Sequence, residues 1–259
     1  MIATFLILTG VFFIGAFAGS FAHTLAIRLK DKSVILGRPR CVHCQTGLKP
    51  HHLVPVFSWL LLRGRCAFCR RPIQVYYPVV EGLSGLLFLI AFVRHPFVAD
   101  FGSFLFEALF ALVLLLLVVF DWRWKLLPLE FIGASALVFG VWNVLAGYRS
   151  LSSVLIGLAA GAGFLGLQVL VSRGKWLGSG DPWMGGLLGL ALGWPLIGVG
   201  LYFTYLLGGL VAFFLVMDGA KLDRQRLPFA PLLAAGALSA LWFGPRLVAL
   251  VQVVWYGAV

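Results

Sequence analysis

The stretch from Pro182 to Met217, 36 residues without a charged side chain, narrows most sharply what this chain can become. A helix that is apolar all round is buried, either in lipid or in a large core. The run is also too long for one crossing, since about 20 helical residues span roughly 30 Å of hydrocarbon. Gly193-Trp194-Pro195 supplies the break, because proline lacks the N–H that would continue a helix. Two spans follow, 182–193 and 196–217.

Similar runs recur near 3–27, 78–93, 101–120, 129–147, 151–172 and 231–256, the last interrupted by Gly244-Pro245-Arg246. Hydrophobic residues make up 61% of the chain and charged residues only 11%, against about 25% charged in soluble domains. The sequence therefore predicts an all-α polytopic membrane protein with about eight transmembrane helices.

Lys and Arg set the orientation. Ten of the 20 lie between the first two spans, and the loops at 121–128, 172–181 and 218–230 carry seven more. Only Arg94, Arg149 and Arg246 fall on the other side. The rich side is predicted to be cytoplasmic, with both termini outside. The net charge of +11 is then a consequence of topology. It implies a surface that meets anionic lipid headgroups, so the bilayer is the expected partner and nucleic acid is not. The first charge comes only at Arg28, which reads as a retained helix rather than a cleaved signal peptide.

All four cysteines lie in residues 28–77, as CVHC (Cys41, Cys44) and CAFC (Cys66, Cys69). Two C-x2-C pairs can place four thiolates around one tetrahedral ion. Disulfides are disfavoured on the reducing side of a membrane. We therefore expect a small cytoplasmic loop domain holding structural Zn2+, with His43, His51 and His52 as solvated loop residues rather than ligands. The chain divides accordingly into a first transmembrane helix (1–27), a four-cysteine zinc-binding domain (28–77) and a transmembrane domain (78–259).

The nine acidic residues are few enough to take singly. Glu81 and Glu107 fall inside spans, where an ionisable group usually faces a polar interior, and Arg94 or Arg246 could pair with Glu107. Asp121 closes the third span in LLLLVVFDWRWKLLPLE, and Asp181 opens the sixth in LGSGDPWMGG. Both are placed at the cytoplasmic boundary, on different helices. Two carboxylates brought together there would share a proton, and such a pair can activate water and protonate a leaving amine. The alternatives stay open: Asp181 as a helix N-cap before Pro182, and Asp121 as an interfacial acid beside Arg123.

GSFAHTLAIRL (19–29), the two cysteine pairs, SWLLLRGRCAFCRRPIQVYYPVVEGLSGLLF (58–88), FDWRWKLLP (120–128), GSGD (178–181) and LPFAPLLAAGA (227–237) stand in that order. The ordered set resembles the type IV prepilin peptidases, intramembrane aspartic proteases of the GxGD type. The resemblance implies an inner-membrane enzyme of type IV pilus or type II secretion systems. Such an enzyme removes the short basic leader of prepilins or pseudopilins after a glycine, and in many members it then methylates the new amine with S-adenosylmethionine. It maps the catalytic pair to Asp121 and Asp181 and the zinc ligands to Cys41, Cys44, Cys66 and Cys69, and it makes 78–259 the peptidase domain. Three positions depart from the family's pattern. His23 stands for Asn, Leu129 follows Leu127-Pro128 where Asp is common (Glu130 comes next), and Trp183 stands for Lys. These departures motivate an alternative, an assembly factor that binds pilin-like helices without cutting them. A transporter with Asp121, Asp181 and Glu107 on a proton path is a third reading.

Overall fold

The computed structural model describes residues 1–31, 40–41, 43–219 and 228–257. Lys32, Arg38, Lys221, Arg224 and Arg226, used above for orientation, lie outside the described residues, as does Leu227 of the last motif. The helices are α1 (Ile2–Asp31), α2 (Phe57–Leu61), α3 (Tyr76–Arg94), α4 (Phe97–Trp124), α5 (Leu129–Leu145), α6 (Leu151–Ser172), α7 (Asp181–Leu192), α8 (Leu196–Met217) and α9 (Ala230–Tyr256). No strand occurs among the described residues, only two isolated bridges, Arg40 with Gly47 and Arg65 with Pro72. Each of the eight apolar runs is a helix. Six of them are long and apolar enough to cross a membrane, whereas α5 has 17 residues and α7 has 12.

The chain forms two compact units, Met1–Val119 and Phe120–Val259. In the first, α1 lies against α3 through small residues. A Cβ on Gly15 would sit 2.6 Å from Phe88 Cβ, and one on Gly85 would sit 2.6 Å from the Phe12 ring. Such contacts let backbones approach where lipid offers no hydrophobic drive for association. Val11, Phe88, Ala91, Phe104 and Ala108 form the core there. Asp100 steps out of helical geometry near the start of α4 (φ −155°, ψ 73°). Its Oδ1 accepts the Ser103 N–H at 3.0 Å, an N-cap arrangement that starts the long part of the helix. Glu107, 3% exposed, receives Arg94 Nε at 3.2 Å and lies 3.2 Å from His95 Nε2. Arg94 is one of the two partners expected for it.

In the second unit, α6 and α7 meet through two matched glycine pairs. A Cβ on Gly157 would strike the Gly189 carbonyl, and one on Gly161 would strike that of Gly185. Both helices carry these glycines four residues apart, on one face. Thr204 and Gly236 make the corresponding close approach between α8 and α9. Between α7 and α8 the chain turns at Gly193 (φ +68°) and a cis Trp194–Pro195 bond. The backbone groups there are satisfied by side chains and neighbouring backbone, as non-helical chain in lipid requires. Asn143 Nδ2 donates to Leu190 O at 2.9 Å and to Ala191 O at 2.8 Å. Ser153 O accepts the Trp194 N–H at 2.9 Å, and Ser153 Oγ donates to Trp194 O at 2.7 Å. The interruption read at Gly244-Pro245-Arg246 does not break α9, which runs through Pro245. One missing N–H is tolerated in a membrane helix by small local adjustment.

Candidate functional site

The two cysteine pairs fold into near copies of one turn. In the first, Cys41 N–H donates to Thr46 O at 3.0 Å and Gln45 N–H to Cys41 O at 2.9 Å. In the second, Cys66 N–H donates to Arg71 O at 2.9 Å and Arg70 N–H to Cys66 O at 3.1 Å. The residue after each second cysteine, Gln45 (φ 56°) and Arg70 (φ 59°), is left-handed, and an isolated bridge closes each turn.

The four Sγ atoms lie within 4.8 Å of one another, with Cys41 and Cys69 at 3.9 Å. Metal–sulfur bonds of about 2.3 Å in a tetrahedron put the sulfurs about 3.8 Å apart, so the four residues fit such an ion. Hydrogen bonds from the Thr46 hydroxyl and N–H pull the Cys44 thiol down to about 6, which favours the thiolate that binds metal. The Cys69 thiol, against a hydrogen bond from the Arg71 backbone, is instead pushed up to about 11 by burial and the neighbouring thiols. The histidines take other partners: His43 Nδ1 lies 3.3 Å from an Arg71 guanidinium nitrogen, and His52 packs on Phe68 at 5.5 Å between ring centroids.

Asp121 and Asp181 both belong to the second unit; Asp181 opens its helix, and Asp121 closes one helix while its carboxylate reaches the start of another. Asp121, in the last turn of α4, accepts the N–H of Ala230 on Oδ2 at 3.0 Å. Ala230 is the first residue of α9. Asp181 is the first residue of α7, after the cap position of Gly180, and is 7% exposed. It does not cap its own helix: Oδ2 turns back to accept the Gly178 N–H at 2.7 Å. A helix N-terminus carries partial positive charge and favours an anion, while the last turn of α4, which bears Asp121, and the burial of Asp181 act the other way. The two are close enough to act on each other electrostatically. Their segments also touch, since a Cβ on Gly180 would lie 3.1 Å from Leu127 Cβ.

Two polar groups near this pair escape a reading by motif. Tyr205 of α8 donates its hydroxyl to Gln168 Oε1 of α6 at 2.8 Å and feels the charge of Asp181. The available signal is that Gln168 is the lone amide in its span and faces a tyrosine; polar side chains in apolar helices seek each other. The three departures fall in different places. His23 is buried against the rings of Tyr76 and Tyr77, at 5.0 and 4.3 Å. Leu129 begins α5, with Glu130 also in its first turn. Trp183 is 56% exposed.

A family model described as Bacterial Peptidase A24 N-terminal domain matches residues 13–95. The chain is 31% identical over 247 residues to the prepilin leader peptidase/N-methyltransferase of Bacillus subtilis (strain 168), covering 92% of this chain and 95% of that protein. It is 33% identical over 220 residues to the protein of the same name from Aeromonas hydrophila, covering 81% and 73% respectively. No solved structure matches.

Proposed function

The chain belongs to the prepilin leader peptidase/N-methyltransferase family, and on that premise we propose that it removes the leader of a prepilin-like or pseudopilin substrate with Asp121 and Asp181. The observation that supports this is that Asp121, bonded to the first N–H of α9, and Asp181, the first residue of α7, belong to one compact unit, with the Gly180 and Leu127 segments beside them in contact. One aspartate stays ionised and takes a proton from water as the water oxygen attacks the carbonyl carbon of the scissile bond. The other, protonated, gives its proton to the departing amide nitrogen. The leader leaves as a carboxylate and the apolar helix keeps a new amine. S-adenosylmethionine supplies a methyl group for that amine when bound.

Cys41, Cys44, Cys66 and Cys69 would hold Zn2+ as a closed structural site, with no position left for substrate. The domain around them (28–77) and the aspartates lie, in this reading, on the cytoplasmic side of the inner membrane, and 78–259 is the peptidase domain.

The bond from Ala230 gives a second reading for Asp121, a cap on α9. Asparagine separates the two, because its side-chain oxygen can accept the same hydrogen bond. We expect Asp121→Asn and Asp181→Asn each to fold and to lower cleavage by about 10³-fold or more. Mass spectrometry of a prepilin-type substrate reads this. Wild-type cleavage by Asp121→Asn would leave only the cap.

A further inference from the structure

We propose that the groove between α5 and α6, floored by α7, is the seat of the substrate's apolar helix. This rests on the cleavage reading above and names where the part that is not cut away lies. Two adjoining hollows, of about 390 and 460 Å³, share Ala136, Leu137 and Leu190. Together they run along α5 from Ile132 to Leu145, about 20 Å at 1.5 Å per residue. α6 forms the opposite wall, from Leu151 to Ala162.

Three observations choose the occupant. The groove opens beside Asp181, because Pro182 and Trp183, the next two residues of α7, line its end. A chain whose scissile bond reaches that carboxylate therefore has this groove directly ahead of it. Every lining side chain is apolar, so the groove takes the apolar helix and leaves the basic leader at the mouth, where the ionised member of the aspartate pair supplies the opposite charge. The wall is also low where a helix backbone must come close: Gly133, Ala136, Ala162 and Gly186 line it, and small residues are what helix pairs in lipid pack through. Trp183, at the position the resemblance assigns to lysine, makes the mouth apolar and leaves the cationic part of the substrate without a like charge there.

Gly133 offers the test. A Cβ there meets nothing within 4 Å, and the same holds at Gly209 of α8, which does not line the groove. Gly133→Leu fills the groove without a clash, and Gly209→Leu is its matched control. The probe is a synthetic peptide with a lysine-rich leader, a glycine at the bond and an apolar helix, presented in vesicles. Gly133→Leu is expected to lower kcat/KM by about tenfold or more, chiefly through KM, with Gly209→Leu at the wild-type value.

Independently of cleavage, benzoylphenylalanine in place of Leu137, which is 68% exposed, is introduced into the Asp181→Asn form. It should cross-link to the apolar helix of the uncut peptide, and the same label at Leu210 should not. Equal rates for the two glycine variants, or capture of lipid alone at Leu137, overturns the groove while leaving cleavage intact. Capture of the helix at Leu137, together with no cleavage of the peptide by the protein with both aspartates intact, leaves the groove standing and removes the peptidase reading.

Discussion

Asn143 shows how much a single side chain carries in this fold. It is 2% exposed, and its amide satisfies two carbonyls in the last turn of α7, the helix that Asp181 begins. Asn143→Leu keeps the approximate volume and strands both acceptors away from water. A buried polar group left unpaired costs about 1–3 kcal/mol, so thermal unfolding in detergent should move to lower temperature, and cleavage should fall with it. An unchanged Tm would mean that the α7 carbonyls find other donors. An amide alone in the apolar run VFGVWNVL was visible in the sequence, as was the buried Glu107 with Arg94 at hand. What each amide or acid reaches was not visible, because Asn143 and Leu190 are 47 residues apart and only the fold joins them. The same limit applied to Asp121: its motif pointed to a role, but its bond to Ala230, 109 residues on, had no local signal.

Among the elements, span limits followed closely from charge and proline. The runs 151–172 and 196–217 match α6 and α8 end for end, and the break at Gly193-Trp194-Pro195 separates α7 from α8. Pro245 misled, since proline signals a stop in water but only a local adjustment in a membrane helix. The spacing of Gly157 with Gly161, and of Gly185 with Gly189, was legible as close helix packing. That the two pairs face one another was not, because facing is a property of two helices and spacing is a property of one. Gly161→Val places a branched side chain on the Gly185 carbonyl, which must force α6 and α7 apart. We expect loss of cleavage together with a lowered Tm or failure to recover folded protein. Gly163→Val, where a Cβ meets nothing within 4 Å, should remain folded. Equal behaviour of the two variants would show that the glycine contacts are dispensable.

Across the whole molecule, the division into two compact units gives the four-cysteine cluster and the two carboxylates to different parts of the chain. The cysteines belong to the first and the aspartates to the second. A metal held by the cysteines should therefore matter first for their own loop. Cys66, 4% exposed, is the most enclosed of the four, and Cys66→Ser replaces a soft thiolate with a poor ligand. The expected result is loss of about one bound Zn2+ per chain by elemental analysis, together with faster proteolysis between residues 40 and 75. Retained zinc in Cys66→Ser would remove this cysteine from the ligand set. The C-x2-C spacing was enough to pick out the four cysteines that cluster, but not to show that both turns repeat one set of backbone hydrogen bonds, which is a matter of φ at Gln45 and Arg70.

The shortness of α7 reaches beyond the protein itself. Twelve residues rise about 18 Å, well under the roughly 30 Å of a typical hydrocarbon core. α7 itself is largely buried, but its neighbour α5 is short too, 17 residues or about 25 Å, and turns Leu137, Val138, Val141 and Leu145 outward. Lipid meeting α5 cannot match it at full thickness, and hydrophobic mismatch of this sense is relieved by drawing the leaflets together. A thinned patch would bring headgroups, with their water, toward the depth at which the proposed reaction presents a polar leader and hydrolyses a peptide bond. The bilayer would then act with the enzyme in catalysis, with acyl-chain length as one of its variables.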